Sequence, residues 1–256
     1  MKNILNKRVS GEALGENEAR EIMLRIGQGE INPSQIAAFL SSYWFNPIQV
    51  DELKGFVSAM LDLAVTIDLS EFDPMDVCGT GGDGKDTFNI STTSSFIIAG
   101  AGQKIAKHGN RSVSSKSGSA DILESLGVKL SLSPEQVAKC ISEVGAGFMF
   151  APNHHPAMKN VVPIRKDLGV RTIFNILGPL TNPADAKRIL MGVFHADLVG
   201  IQARVLQAMG MDHALVVYGR DGLDEISLEG PTLVGELKDG QVREYEIHPK
   251  DFGLST

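Results

Sequence analysis

The sequence is poor in cysteine and in net positive charge, and it has no long apolar run. Cys78 and Cys140 are the two cysteines of the 256 residues and lack metal-ligand spacing, so we expect free thiols in a reducing compartment rather than a disulfide framework or a zinc site. The formal net charge of -7 disfavours nucleic acid and acidic membranes as partners. No apolar run approaches the roughly 20 residues that cross a bilayer, and the N-terminus turns polar too early for a signal peptide, so a cytoplasmic location is expected.

The overall composition is that of an ordinary folded protein, and the N-terminal part of the sequence has the pattern of helices. Hydrophobic residues make up 43% of the chain and charged residues 21%, which excludes the disordered and collagen-like classes. The segment Glu16 to Ile26 has apolar residues at helical spacing. Asn32-Pro33 and Asn46-Pro47 each place a capping side chain before a proline suited to a first helical turn, which predicts helices from Pro33 to about Phe45 and from Pro47 to about Val65. We therefore predict a small all-helical domain over residues 1–69.

From Met75 onward, short apolar runs alternate with amphipathic segments, which is typical of an α/β domain. The alternation predicts a mainly parallel central sheet covered by helices over residues 70–256, with ligands at the carboxyl ends of the strands. A helical insertion over 155–168 interrupts it, and the turn Lys238-Asp239-Gly240 predicts a hairpin. The predicted strands are MDVC, KIAKH, VKL, GFMF, RILMGVF and HALVVYG, and the predicted helices cover 91–102, 119–126, 134–144 and 197–209.

A glycine-rich segment, DVCGTGGDGKDTFNIST over residues 76–92, passes from a predicted strand through a turn into a predicted helix. Its glycines remove the side chains that would keep an anion from the backbone N–H groups. The helix adds its positive end and the hydroxyls of Ser91, Thr92 and Thr93. A flexible turn is the alternative, and the segment matches neither the Walker lysine pattern nor a full dinucleotide fingerprint. We interpret it as a phosphate or pyrophosphate site.

A second segment, KIAKHGNRSVSSKSGSADILESLG over residues 104–127, mixes cations with hydroxyls and glycines. Lys107, His108, Arg111 and Lys116 lie there among Ser112, Ser114, Ser115, Ser117 and Ser119. Such a loop offers the donors that wrap a polyphosphate, and a basic loop that is merely solvated is the alternative. Because the segment follows a predicted strand and precedes a predicted helix in an acidic protein, the ligand role is favoured.

The sequence alone does not decide whether certain charged and histidine residues are structural or functional. Arg165 lies in the predicted helix HPAMKNVVPIRKDLG, where an arginine is ordinarily a surface charge. Asp224 and Glu225 follow the predicted strand HALVVYG through a short turn; adjacent acids there are often solvated, yet carboxylate oxygens are ligands that Mg²⁺ prefers. His154 and His155 have no further His or Cys at ligand spacing, so a helix-capping or packing role is expected.

The chain carries six motifs in a characteristic order: GTGGD, NIST, KHGNR, SGSADILESLG, the long run APNHHPAMKNVVPIRKDLGVRTIFNILGPLTNP, and DEIS. Their order and separations resemble those of the anthranilate phosphoribosyltransferase family over nearly the whole chain. The resemblance implies a small helical N-terminal domain, with a helical return segment around 155–182, and a larger α/β domain of the nucleoside phosphorylase/phosphoribosyltransferase type. Family members continue beyond the position that matches Thr256, so the C-terminal part of that domain is expected to be lacking.

The resemblance also implies ligands. The family's glycine loop, helix start and Lys-His-Gly-Asn loop hold phosphoribosyl pyrophosphate (PRPP), with Mg²⁺ as the cofactor. Gly79, Asn110 and Arg165 correspond to anthranilate-contacting positions, and a guanidinium is suited to gripping the planar carboxylate of an aromatic acid. The implied metal ligands are Ser91, Asp224 and Glu225, and the implied PRPP contacts are Gly79, Gly82, Asp83, Thr87, Asn89, Ile90, Ser91, Thr92, Lys107, His108, Gly109, Asn110, Arg111, Ser112, Val113, Ser114, Ser115 and Ser119.

The reaction that the resemblance implies is displacement of pyrophosphate from the anomeric carbon of the ribose by the amine of anthranilate, a step of tryptophan synthesis. No catalytic general base is assigned. A pyrimidine nucleoside phosphorylase and an inactive paralogue that serves as a binding protein are the alternatives. The resemblance implies a homodimer through the helical domain, and the aromatic run Tyr43, Trp44 and Phe45, found where a charged loop is expected, favours an interface there.

Overall fold

The computed structural model describes residues 1–111 and 117–255, and the chain forms two compact units. The first unit consists of residues 1–66 and 154–181, and the second of residues 67–153 and the chain from Asn182 onward. None of the helices in the described ranges has the length and apolar character that a membrane span requires. The elements are α1 (Lys2–Val9), α2 (Glu16–Gly27), α3 (Pro33–Ser42), α4 (Val50–Asp62), β1 (Met75–Gly79), α5 (Ile90–Gly100), β2 (Ile105–Gly109), α6 (Ser119–Ser125), α7 (Pro134–Val144), β3 (Ala146–Phe150), α8 (Ala151–His154), α9 (Val162–Leu168), α10 (Phe174–Leu177), β4 (Arg188–Gly192), α11 (Asp197–Ala208), β5 (His213–Gly219), β6 (Thr232–Lys238) and β7 (Gln241–Ile247).

The first unit is all helical, and α3 begins as predicted. Asn32 Oδ1 accepts a hydrogen bond from the Gln35 amide at 2.9 Å, and Pro33 supplies the preset backbone of the first turn. Phe39 and Phe56 are fully buried and meet edge to face, with ring centroids 5.9 Å apart. Apolar burial between the helices therefore holds this unit together.

Apolar spacing does not predict α1, because the buried residue of that helix is Arg8. Arg8 Nη1 donates to Glu52 Oε1 at 2.9 Å, and Arg8 Nη2 donates to the Asn46 carbonyl at 2.7 Å. The Tyr43 hydroxyl donates to the same Glu52 oxygen at 2.9 Å, and its ring lies 4.0 Å from Arg8 Cζ. Burial raises the pKa of Tyr43 far above its ordinary value. A buried charge pair with several hydrogen bonds thus attaches α1 to the unit, where a sequence pattern shows only a surface arginine.

The predicted cap at Asn46-Pro47 is wrong. The Asn46 side-chain amide donates to the Arg8 carbonyl at 2.7 Å instead of capping a helix. Helix α3 ends at Ser42 and α4 begins at Val50, so both predicted boundaries of the connection shift by about one turn. The asparagine serves the buried Arg8 network, a long-range contact that a local capping rule does not contain.

The aromatic run is only partly a surface patch. Tyr43 is held inward by Glu52, whereas Trp44 and Phe45 are 48% and 81% exposed. Trp44 Nε1 donates to the Arg171 carbonyl at 2.9 Å, which fixes the indole ring. The exposed aromatic pair is therefore Trp44 and Phe45.

The second unit is built on a seven-stranded sheet in the order β3-β2-β1-β4-β5-β6-β7. The first five strands in that order are parallel and the last two are antiparallel, which confirms the predicted mainly parallel sheet. Ala106, Met149 and Ile141 pack in one apolar cluster where α7 covers β2 and β3. Residues 128–130, predicted as a strand, are not one: Leu130 packs instead against Phe148 beside α6.

Four parallel strands end at glycines on one edge of the sheet, at Gly79, Gly109, Gly192 and Gly219. Carboxyl ends of parallel strands share an edge, so the loops that follow them are neighbours. At the far side of the sheet, β6 and β7 form the predicted hairpin, confirmed by paired positive φ angles in its Asp239-Gly240 turn. The fold therefore gathers the glycine-rich, basic and acidic segments at a single edge.

We predict that Gly55→Ala destabilises the first unit. A Cβ at Gly55 would overlap the Glu16 carbonyl oxygen and lie 2.9 Å from Ala19 Cβ and from the Arg20 amide nitrogen. Because α2 and α4 touch there through backbone, relief requires moving a helix, which we expect to cost about 3 kcal/mol. Urea unfolding followed by circular dichroism measures this loss. Gly178→Ala, whose added Cβ meets no atom within 4 Å, is the matched control; equal stability of the two variants would contradict the prediction.

Candidate functional site

The glycine-rich loop after β1 is tied to the two strands beyond it in the sheet. The Thr80 amide donates to the Gly192 carbonyl at 2.9 Å, and Thr80 Oγ1 accepts from the Phe194 amide at 3.0 Å. The Gly81 amide donates to Asp224 Oδ2 at 2.8 Å. Gly81 and its neighbour Gly82 have φ angles of 62° and 83°, a left-handed conformation that disfavours side chains. The loop thus exposes backbone in a fixed shape.

Helix α5 begins directly after this loop. Asn89 caps it, with Oδ1 accepting from the Thr92 amide at 3.2 Å, and Thr93 Oγ1 donates to the Asn89 carbonyl. The predicted contacts Thr87, Ile90 and Ser91 lie around this start, where the helix dipole favours negative charge. The cap confirms the predicted strand, turn and helix order of the segment.

Lys107 is buried on β2 beneath the start of α5. Its Nζ donates to the Val77 carbonyl and, at 3.3 Å, to Ser91 Oγ. Burial lowers the pKa of Lys107, and the Asp76 carboxylate opposes that shift. One ammonium group therefore joins β1, β2 and the beginning of α5.

Asp76 is a buried carboxylate that the sequence analysis did not single out. Its Oδ2 accepts from Asn182 Nδ2 at 2.7 Å, and its Oδ1 accepts from the His108 amide at 3.3 Å. Asn182 Nδ2 also donates to the Ala106 carbonyl at 2.9 Å. Burial raises the pKa of Asp76 to about 6, against the effect of Lys107. The available signal was a charged residue inside the apolar strand MDVC, which is unusual unless the charge is paired.

The acidic pair meets the glycine loop. Burial raises the pKa of Glu225 to about 8, with Asp224 as the second cause, while Lys107 and the Ser91 amide oppose the rise. The pKa of Asp224 is also raised, first by burial and then by the carboxylate of Asp83. The pair is thus part of a crowded acidic cluster and is not a solvated loop.

Asp83 completes this cluster. Its Oδ1 accepts from the Lys85 amide at 3.2 Å, whereas its Oδ2 is buried with no hydrogen-bond partner among the described residues. Two neighbouring carboxylates without a shared donor need a proton or a cation. In the described ranges, no group of three histidine, cysteine, aspartate or glutamate side chains is arranged to hold a metal alone. Mg²⁺ fits such a site, since it keeps water and substrate oxygens beside one or two carboxylates.

Gly192, at the end of β4, is a further residue that the sequence analysis missed. A Cβ at this position would overlap the backbone carbonyl of Asp224. A Cβ at Gly79 would lie 3.0 Å from Asp224 Oδ2. Side-chain-free strand ends therefore let the acidic loop lie against the sheet edge. The motif RILMGVF contains this glycine but gives no sign of its partner.

The Lys-His-Gly-Asn run is described only as far as Arg111. His108 is buried, and a Cβ at Gly109 would lie 3.1 Å from Ser119 Oγ. The Asn110 carbonyl accepts from the Ala120 amide at 3.2 Å, so this run adjoins α6. The predicted contacts Ser112, Val113, Ser114 and Ser115 lie outside the described residues.

Arg111 is engaged with acidic side chains of α6. It forms ion pairs with Asp121 at 3.0 Å and with Glu124 at 2.7 Å, and these bonds raise the pKa of Arg111 beyond its ordinary value. Its predicted contact with PRPP stays a prediction.

Arg165 belongs to the first unit and lies on α9 as predicted. It is half-buried, with Nη2 donating to Asn175 Oδ1 at 3.4 Å and Cζ 5.6 Å from the centre of the Phe174 ring. His155 Nε2 lies 2.9 Å from the Thr181 carbonyl, and burial lowers the pKa of His155 to about 4, so the ring is neutral near pH 7. The predictions that Gly79, Asn110 and Arg165 contact anthranilate stay predictions.

Two family models match the chain. The glycosyl transferase family helical bundle domain matches residues 2–64, and the glycosyl transferase family a/b domain matches residues 71–256. Among curated proteins, the anthranilate phosphoribosyltransferase of Polynucleobacter asymbioticus is 68% identical over 253 residues, covering 98% of this chain and 74% of that protein. The enzyme of the same name from Cupriavidus necator is 59% identical over 251 residues, with the same coverage of both chains.

Solved structures agree with these relatives. The crystal structure of anthranilate phosphoribosyltransferase from Thermus thermophilus matches with a TM-score of 0.90 and 41% identity, over 98% of this chain and 74% of that chain. The enzyme of the same name from Saccharomyces cerevisiae, in complex with PRPP and Mg, matches with a TM-score of 0.87 and 28% identity, over 98% of this chain and 73% of that chain. Both the sequence matches and the fold show that this chain belongs to the anthranilate phosphoribosyltransferase family.

Proposed function

We propose that the chain transfers the phosphoribosyl group of PRPP to anthranilate, giving N-(5-phosphoribosyl)anthranilate and pyrophosphate, in the biosynthesis of tryptophan. The observation that carries the proposal is the pair of hydrogen bonds from the Gly81 amide to Asp224 and from Lys107 Nζ to Ser91 Oγ. They join the glycine loop, the acidic pair, the buried cation and the start of α5. The yeast structures with PRPP and Mg and with 4-fluoroanthranilate support the two substrates.

The second unit is the proposed PRPP-binding domain, corresponding to residues 70–256. The left-handed backbone at Gly81 and Gly82 carries no side chain, so an anion can approach the loop, and the Gly82 amide is a proposed donor to a phosphate oxygen. The start of α5 supplies further amides and a positive dipole. The proposed donor contacts are Gly79, Gly82, Asp83, Thr87, Asn89, Ile90, Ser91, Thr92, Lys107, His108, Gly109, Asn110, Arg111, Ser119 and the residues 112–115 that the structure does not describe.

Ser91, Asp224 and Glu225 are the proposed Mg²⁺ ligands. The crowding of Asp83 against Asp224 and the raised pKa values of Asp224 and Glu225 support a cation at this place. When bound, Mg²⁺ supplies neutralising positive charge to the pyrophosphate of PRPP.

Transfer requires little covalent chemistry from the protein. As the bond from the ribose carbon to pyrophosphate breaks, positive charge develops on the ribose and negative charge on the leaving group. The Gly82 amide, the α5 dipole and the Lys107 ammonium are fixed before the reaction, so they stabilise that negative charge without reorganisation. Anthranilate attacks as the neutral amine, and no general base is assigned. Positioning of the two substrates supplies the remaining catalysis.

For Arg165 we propose the role of gripping the anthranilate carboxylate. A half-buried guanidinium is more weakly hydrated than an ammonium and presents paired donors that match a planar carboxylate.

A cytoplasmic location remains a prediction from the sequence.

A fluorescence assay tests the function. We expect the fluorescence of anthranilate to fall when the chain, PRPP and Mg²⁺ are mixed with it, and the reaction to stop when EDTA removes the metal. Cleavage of uridine or thymidine that depends on phosphate, without transfer to anthranilate, would identify a phosphorylase instead. Absence of Mg²⁺-dependent PRPP binding in isothermal titration would identify an inactive paralogue.

We predict that Gly192→Ala weakens use of PRPP more than it weakens the fold. The added Cβ pushes on the Asp224 backbone and displaces both proposed metal ligands of the acidic loop. The value of kcat/KM for PRPP should fall by at least about tenfold, with a higher Mg²⁺ requirement. Gly100→Ala, whose Cβ meets no atom within 4 Å, is the control. Unchanged PRPP and Mg²⁺ dependence in a folded Gly192→Ala variant would refute the placement of the acidic loop.

We propose a homodimer through the helical domain, supported by the exposed pair Trp44 and Phe45 and the fixed Trp44 ring. The prediction is that Phe45→Glu shifts the mass in light scattering from dimer to monomer, because a charge is expensive to bury at an apolar contact. Leu126→Glu, at a site 69% exposed in the second unit, is the control. A Phe45→Glu variant that keeps the dimer mass would place the interface elsewhere.

A further inference from the structure

Arg165 carries a charge that the first unit does not neutralise. Among the described residues of this unit, no carboxylate forms an ion pair with the guanidinium, and its hydrogen-bond partner is the neutral amide of Asn175. Burial lowers the pKa of Arg165, and no acid among the described residues opposes that shift. Keeping a half-buried cation without a counter-charge is costly, so its surroundings require an explanation.

Asn175 is fixed independently of Arg165. The Thr172 amide donates to Asn175 Oδ1 at 3.0 Å, which identifies this atom as the oxygen, and the oxygen can accept a second hydrogen bond. Arg165 Nη2 donates to the same oxygen at the longer distance of 3.4 Å. The Phe174 ring lies 5.6 Å from Arg165 Cζ and limits the guanidinium on another side. Phe174 and Asn175 of α10 therefore orient the guanidinium without neutralising its charge.

Thr172 adds a second unsatisfied group. The residue is 7% exposed, and its Oγ1 is buried without a hydrogen-bond partner among the described residues. A buried hydroxyl in that state costs stability unless something bonds to it. Among the described residues, Thr172 Oγ1 lacks an acceptor and Arg165 lacks an anionic partner. A hydroxyl and a guanidinium joined through Asn175 are donors that suit a carboxylate.

We infer that Asn175 is a positioning residue for acid recognition: its neutral side chain orients Arg165 and, by not being a carboxylate, reserves the guanidinium for the carboxylate of the acceptor substrate. The inference deepens the proposed function and rests on the role proposed there for Arg165. An aspartate at this position would keep the bond to the Thr172 amide and pair with Arg165 internally. Asn175→Asp replaces one nitrogen with one oxygen. It therefore keeps the group that orients Arg165 but adds a negative charge that pairs with it.

The test compares Asn175→Asp and Asn175→Ala with the unaltered chain. Asn175→Asp should raise the KM for anthranilate by at least about tenfold, because an internal carboxylate competes with that of the substrate. The KM for PRPP should change less than about twofold. The preference for anthranilate over 2-aminobenzamide, which lacks the charge, should shrink by a similar factor. Asn175→Ala should raise the KM for anthranilate less, since it removes orientation without adding a competitor.

Asn17→Asp, an exposed position in the first turn of α2, adds the same charge in the same unit and should leave both KM values unchanged. A folded Asn175→Asp variant with unaltered selectivity between the two amines would overturn the inference, as would parallel changes in both KM values. If Asn175→Asp does not fold, the preference for anthranilate over 2-aminobenzamide is measured in Asn175→Ala and Asn175→Ser instead. If the unaltered chain shows no transfer, the proposed function fails, and equilibrium binding of the two fluorescent amines to each variant still tests Asn175.

Discussion

The buried ammonium of Lys107 is the interaction on which the second unit's site depends. It bonds to the Val77 carbonyl on β1 and to Ser91 at the start of α5, while its own backbone belongs to β2. Its charge opposes the effect of burial on Asp76 and on Glu225, which lie on different elements. A buried cation is stable only where such partners surround it, and its charge keeps the pKa values of both acids lower than burial alone would set them. The loop, the helix start and the acids are therefore coupled through one group.

Close packing of backbone adds a second constraint of a different kind. Four of the five parallel strands end in glycines, and at Gly192 the missing side chain leaves room for the Asp224 carbonyl. Thr80 closes the arrangement, because its amide and hydroxyl bond to the backbone on either side of Val193. The charge of Lys107 thus couples the acids to the start of α5. The lack of a side chain at Gly192 lets the backbone of the acidic loop approach the sheet edge. Rigid strand ends are better supports for such a site than long loops would be.

The sequence predicts those parts whose causes are local or periodic. The cap at Asn32, the glycine loop leading into α5 and the hairpin at Asp239-Gly240 follow from rules that span a few residues. Arg8 and Glu52 are 44 residues apart, and Asp76 and Asn182 are 106 apart, so no local pattern pairs them. The same long-range Arg8 network explains why the predicted cap at Asn46 is wrong and why Tyr43 does not belong to the exposed aromatic pair. In the candidate site, motif similarity identifies residues near the glycine-rich loop but not the supporting Asp76, Asn182 and Gly192, whose roles arise from packing between strands.

The two units each retain a charge that their described residues do not balance, and the signs are opposite. The second unit has the crowded carboxylates of Asp83, Asp224 and Glu225, and the first has Arg165 beside a neutral amide. Folding alone would favour replacing such groups or pairing them, since uncompensated buried charge lowers stability. A ligand that binds the folded chain recovers that free energy, so the same imbalance that weakens the empty protein strengthens its complex. A metal-bound diphosphate would bring positive charge to the acidic cluster of the second unit. An aromatic acid would bring a carboxylate to Arg165 of the first unit. In the proposed reaction, the residues that cost this chain stability would therefore be the ones that distinguish the two substrates by charge.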